Sequence, residues 1–168
     1  RGFGHIAFNT DDVYASYERL SAKGIAFQKS PTEGRMKGLS FCLDPDGYWI
    51  EICDRRTNEQ FTNDLEYNLS QTMIRVRDPV KALDFYCNKL GMHRVCEAHM
   101  ENGQFSVYFL SSHVPKEMDL SGKSNEEKWR FMKESFHPFL ELTHNWGTEK
   151  DEAFSYHNGN DEPRGFGH

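Results

Sequence analysis

The chain has 168 residues and a formal net charge of −6 at neutral pH. That length suits one domain able to bury a core without cross-links, and the acidic balance argues against a nucleic-acid partner. No apolar run approaches membrane-spanning length, no signal peptide is evident, and Cys42, Cys53, Cys87 and Cys96 lack C-x-x-C spacing. They read as core thiols of a reducing compartment, so no membrane association and a cytoplasmic location are expected.

Arg1-Gly2-Phe3-Gly4-His5 at the start recurs as Arg164-Gly165-Phe166-Gly167-His168 at the end. The first copy leads into a strand from His5 to Phe8. Asp11 or Asp12 can cap a helix carrying Val13, Tyr17 and Leu20, and Gly24 ends it. A strand from about Ile25 to Gln28 follows, then a loop of turn residues and a strand near Leu39 to Leu43. Asp44-Pro45-Asp46-Gly47 turns the chain into the strand Tyr48 to Cys53, which is β-branched and aromatic like a buried strand. Residues 54–70 are polar with little periodicity and read as a connector or surface arm.

The same order then repeats. Gln71 to Arg77 is a strand. Asp78-Pro79 opens a helix with proline at its first position, bearing Val80, Leu83, Cys87 and Leu90 on one face and ending at Gly91. Strands follow near Arg94 to Glu97 and Phe105 to Leu110. A Lys/Glu-rich insert, with its charges from Lys116 to Lys133 in solvent, holds a helix at Glu126 to Glu134, and Phe139 to Asn145 is the last strand. Both units read β-α-β-β-β. The fold class expected is α+β, with two βαβββ modules forming a curved sheet around a metal.

Strand side chains alternate between faces. Tyr48, Ile50 and Ile52 share one face of their strand; Trp49, Glu51 and Cys53 share the other. Taken alone, Glu51 reads equally well as a carboxylate in water or as one buried with a charged partner or a metal. In the later strands, Ile74 and Val76 face a helix and leave Gln71, Met73 and Arg75 on the open side. Leu140 and Leu142 similarly leave Glu141, Thr143 and Asn145. Each half thus offers two donors on its concave side, His5 with Glu51 and Gln71 with Glu141. Imidazole and carboxylate ligands suit zinc, nickel or cobalt. The other histidines have no ligand spacing. His144 has the opposite parity to Glu141 and reads as a packing or hydrogen-bonding residue.

The stretches RGFGHIAF, GRMKGLSFCLDPDGYWIEI, QTMIRVRDPVKALDFYCNKLGM and LELTHNWGTE resemble eukaryotic-type glyoxalase I (lactoylglutathione lyase), of the vicinal-oxygen-chelate superfamily, over nearly the whole chain. The two halves stand in permuted order relative to that family, as if cut from a tandem-repeat member. The resemblance implies a second-half-type module at 1–53, a connector at 54–70, a first-half-type module at 71–163, and the start of a duplicated strand at 164–168.

It also implies one divalent metal per complete site, held by His5, Glu51, Gln71 and Glu141, with water completing the shell. His168 matches His5 but lacks a partner glutamate. The length of the charged insert favours Zn2+, with Ni2+ or Co2+ as alternatives. The implied reaction is isomerisation of the methylglyoxal–glutathione hemithioacetal to S-D-lactoylglutathione. Glu51 is the leading base and Glu141 its counterpart. Arg75, Asn145, Arg1, Lys29 and Met36 match glutathione-contacting positions, Arg164 being a substitute for Arg1. Met100, Val107, Phe109, Leu39, Phe41 and Trp49 match the hydrophobic pocket. The site closes within a monomer or is shared across a homodimer. Two rival readings are another enzyme of this superfamily, such as a dioxygenase or epimerase, and a folded, metal-binding fragment that pairs but does not turn over.

Overall fold

A computed structural model describes residues 1–54, 66–114 and 120–166. The elements are β1 (Phe3–Thr10), α1 (Val13–Ala22), β2 (Phe27–Lys29), β3 (Leu39–Leu43), β4 (Trp49–Asp54), β5 (Asn68–Arg75), α2 (Pro79–Leu83), β6 (His93–Met100), β7 (Phe105–Ser111), α3 (Asn125–Glu134) and β8 (Phe139–Asn145). A π-helical segment, Asp84–Lys89, continues α2. The chain divides into two units: His5–Gln71 with Arg130–Pro138, and Arg1–Gly4 with Thr72–Trp129 and Phe139–His168. Most of the expected connector, residues 116–119 of the charged run, and His168 lie outside the described residues.

In the unit containing His5–Gln71, the strand order is β2-β3-β4-β1. β1 and β4 run parallel, with Ala7 level with Glu51 and Phe8 with Ile52. β3 and β4 run antiparallel, with Phe41 opposite Glu51 and Cys42 opposite Ile50. Val13, Cys42 and Ile52 form the buried core under α1, flanked by Phe8, Phe27, Ile50 and Tyr67. This fixes the parity: Ile50 and Ile52 face the core, while Glu51 faces away from it together with Phe41.

Local chemistry explains the boundaries. Asp12 is the cap of α1, accepting from the amides of Tyr14 and Ala15, and Asp54 accepts from the Val13 amide at 2.8 Å. Two of the helix's orphan N-terminal donors are thus met by Asp12 and a third by Asp54 from the end of β4. At the other end, the Ile25 amide donates back to the Leu20 carbonyl. That bond belongs to the helix terminus, so β2 starts at Phe27 rather than near Ile25. In the turn before β4, Gly47 has a φ of +81°, which favours glycine. Asp44 Oδ1 accepts from the Asp46 and Tyr48 amides there.

In the other unit, β7 pairs antiparallel with both β6 and β8. Tyr108, Leu110 and Leu142 are its buried core, packed by Ile74, Val76, Leu83, Tyr86, Cys87 and Leu140. The register sets Phe109 opposite Glu141 and Val107 opposite Thr143. β5 starts at Asn68, so three residues expected in the connector belong to a strand. The expected helical face is only partly correct. Leu83 and Cys87 pack, but Val80 is 75% and Leu90 60% exposed. The Leu90 amide reaches back five residues to the Phe85 carbonyl. That wider turn shifts the angular phase, bringing Tyr86 onto the packed face in place of Leu90. Residues 164–166 carry no strand, and Phe166 stacks on Phe3 with ring centroids 4.4 Å apart.

Candidate metal centre

His5 on β1 and Glu51 on β4 are both buried, and His5 Nε2 stands 3.0 Å from Glu51 Oε2. Gln71, from β5, donates through Nε2 to the same Glu51 oxygen at 3.2 Å. Its own Oε1 accepts from the Ser70 hydroxyl at 2.7 Å. A carboxylate is therefore removed from water in contact with an imidazole and an amide. Such burial is costly without compensating partners, which places Glu51 with the buried reading rather than the solvated one.

The donor set fits a divalent cation. An imidazole nitrogen, a carboxylate oxygen and an amide oxygen are borderline-to-hard ligands of the kind zinc, nickel and cobalt accept. Above this cluster the face is aromatic. Phe41 lies edge-on to His5 at 5.4 Å and 5.2 Å from Trp49, and Trp49 is 47% exposed. The same face of β3 carries Leu39, half-buried.

Glu141 is buried on β8 in the other unit, and the Thr143 hydroxyl donates to its Oε1 at 3.4 Å. Val107 and Phe109 are buried on the facing strand, Phe109 lying against Trp129 at 5.3 Å. Met100 ends β6, half-buried. Asn145 donates to the Tyr156 hydroxyl at 2.8 Å. Arg75 donates to the Phe3 carbonyl at 3.1 Å and, more weakly, to that of Arg1 at 3.5 Å. Arg1 itself is exposed, and Arg164 pairs with Glu162 at the surface.

Lys29 has a structural task. Its ammonium donates to the carbonyls of Ser30, Met36 and Leu39, so all three N–H bonds are engaged in holding the β2–β3 loop. Burial pulls its pKa below the ordinary lysine value, with Glu51 acting in the opposite direction. Met36 supplies that carbonyl while its side chain is 48% exposed. His144 bonds Glu149 at 2.8 Å, the hydrogen-bonding role its parity suggested. Ser70 and Tyr156 escaped the sequence reading; nothing in the pattern separates either from its neighbours.

The profile of the Glyoxalase/Bleomycin resistance protein/Dioxygenase superfamily matches residues 1–52 and 68–168. The whole chain is 43% identical to "Glyoxalase I" of Saccharomyces cerevisiae, over 48% of that protein. It is 40% identical to "Lactoylglutathione lyase" of Schizosaccharomyces pombe, again over the whole chain and 51% of the relative. The chain thus spans about half the length of these curated relatives. Among solved structures, glyoxalase I from Zea mays superposes with a TM-score of 0.62 at 29% identity, covering 88% of this chain and 44% of that one. No described helix is long and apolar enough to cross a membrane.

Proposed function

Since the chain belongs to the Glyoxalase/Bleomycin resistance protein/Dioxygenase superfamily, we propose that it isomerises the methylglyoxal–glutathione hemithioacetal to S-D-lactoylglutathione. In this reading, His5, Glu51, Gln71 and Glu141 hold one divalent metal ion, Zn2+ before Ni2+ or Co2+. The observation that carries it is the buried contact of His5, Glu51 and Gln71 beneath Phe41 and Trp49. The names of the two yeast relatives support the reaction.

The reaction moves a proton from a carbon beside a carbonyl to its neighbour. The ion, when bound, supplies electrostatic stabilisation of the negative charge that develops on the substrate oxygens. Glu51 takes the proton and returns it, with Glu141 as its counterpart. That role requires the Glu51 carboxylate to change partners when substrate arrives. Arg75, Asn145, Met36 and Arg1 contact the glutathione part, and Lys29, its ammonium engaged by the Ser30, Met36 and Leu39 carbonyls, holds the loop that presents Met36. Arg75 suits the glutathione carboxylates through the guanidinium fork. Leu39, Phe41, Trp49, Met100, Val107 and Phe109 line the apolar end.

The modules at 1–53 and 71–163 each contribute two ligands, one chain supplying a full set. The four cysteines stand as thiols outside any disulfide, which supports a reducing, cytosolic setting. The test is turnover by metal-stripped protein with Zn2+, Ni2+ or Co2+ restored. Activity is expected with methylglyoxal plus glutathione and not with either alone. Turnover of an unrelated superfamily substrate, with none of the hemithioacetal, would overturn the proposal.

A further inference from the structure

Asn145 ends β8, half-buried, and its side chain is held from outside the strand. Its Nδ2 donates to the Tyr156 hydroxyl at 2.8 Å. That bond engages one end of the amide and turns the other, the acceptor Oδ1, away from Tyr156. A half-buried asparagine at the end of a strand otherwise has two torsions to turn about. Ordering such a side chain when a ligand binds subtracts from affinity, so an amide held beforehand binds more tightly.

Tyr156 is itself firmly placed. The loop that carries it is tied down before and after the ring. Ahead of it, the Thr148 hydroxyl donates to the Arg77 carbonyl at 2.8 Å. The Arg77 guanidinium donates to the carbonyls of Asp151 at 3.2 Å, Glu152 at 3.0 Å and Phe154 at 3.4 Å. Behind it, the Gly2 amide donates to the His157 carbonyl at 2.9 Å. Phe154 packs edge-on against the Tyr156 ring, with centroids 4.9 Å apart. With its backbone tied on both sides and its ring packed, the phenol is the stiffer partner, and it restrains the amide rather than following it.

We propose that Tyr156 is a positioning residue for Asn145, holding the amide by Nδ2 so that Oδ1 is presented to the glutathione part of the substrate. The inference rests on the reading of Asn145 as a glutathione contact. In this role Tyr156 acts on binding and not on the chemical step, and it acts only through Asn145. Its hydroxyl is the whole of the device, since the ring's packing on Phe154 does not depend on it.

The test is a double-mutant cycle on the Zn2+-supplied chain. The variants are Tyr156→Phe, which keeps the ring against Phe154, Asn145→Ala, and the two together. Affinity for the unreactive thioether S-methylglutathione is read by calorimetry, with KM and kcat for the hemithioacetal alongside. Tyr156→Phe is expected to weaken binding and raise KM by about 3- to 10-fold, the scale of one hydrogen bond, with kcat within about twofold. Asn145→Ala should weaken binding at least as much. Adding Tyr156→Phe to Asn145→Ala should then change affinity by less than about twofold, because the coupling is already gone. The binding arm decides by itself if the chain does not turn over. Wild-type affinity in Tyr156→Phe, with binding weakened in Asn145→Ala, overturns the Tyr156 proposal alone. So does a Tyr156→Phe loss of equal size with and without Asn145, or a loss confined to kcat. Asn145→Ala binding as tightly as wild type, or a wild type that does not bind S-methylglutathione, removes the glutathione reading of Asn145 and this proposal with it.

Discussion

In the proposed reaction the chemistry turns on Glu51, and its two oxygens allow its roles to be separated. Glu51→Gln keeps the shape and one potential ligand oxygen but removes the base. Metal affinity should stay within about tenfold, while kcat falls by about 100-fold or more, the scale of a lost general base. Parallel titration and turnover measurements on the same variant check this; equal loss of both would make Glu51 a ligand only. His5→Ala should instead weaken metal binding by more than the roughly 10- to 100-fold that an outer partner costs, measured by chelator competition. Ser40 gives a different kind of residue-scale test. Its hydroxyl is fully buried on β3 with no hydrogen-bond partner among the described residues. An unmade bond there costs the folded state, so Ser40→Ala should be neutral or more stable, by up to about 1 kcal/mol, in urea unfolding. Alternation placed Glu51, Gln71 and Glu141 on the face opposite the apolar residues of their strands, but it left open whether Glu51 lay there in water or buried, because parity does not say what covers a face. The task of Lys29 was not legible. Side-chain bonds to carbonyls of a loop depend on how that loop closes, and a turn-rich composition leaves its path open.

At the scale of elements, α3 shows how a start signal works. Ser124 precedes the helix and Glu127 is its third residue. The Glu127 carboxylate accepts from the Ser124 amide at 2.9 Å, and the Ser124 hydroxyl accepts from the Glu127 amide at 3.2 Å. This reciprocal box satisfies two otherwise orphan donors. Ser124→Ala should cost about 1 kcal/mol, read in thermal unfolding. The same bonds, with Lys123, lower the Glu127 pKa to about 2. A depressed carboxylate stabilises the fold fully above its unfolded value of about 4.3. That contribution fades as pH falls toward 2. The Ser124 amide proton chemical shift should therefore titrate with a midpoint near 2 rather than near 4. The helix was legible within a residue because its cap and charges are local. The Asp84–Lys89 segment was not: an i→i+5 turn has no sequence signature comparable to a cap, and it redirects Leu90 to solvent. β5 was placed three residues late because Asn68 and Ser70 are poor strand formers, and pairing decides there over propensity.

For the whole molecule, the sharpest expectation concerns how many chains complete the proposed site. The chain supplies one His5/Glu51 pair and one Gln71/Glu141 pair, and the proposed function makes both pairs ligands of one ion. If a single chain supplies all four, metal uptake saturates at one ion per chain and specific activity does not change with protein concentration. That is the expected result, measured by stopped-time assays across a hundredfold dilution with mass measured in solution at each concentration. A specific activity that collapses on dilution, in step with loss of a dimer, would show that the pairs meet only between chains. One Zn2+ per chain at every concentration, with no turnover of the hemithioacetal at any, would keep the ligands. It would move the activity to a longer protein, of which relatives twice this length are examples. The strand placement of the four proposed donors was legible because each sits within its own strand. Which chain completes the set is a property of association, and no residue pattern encodes it.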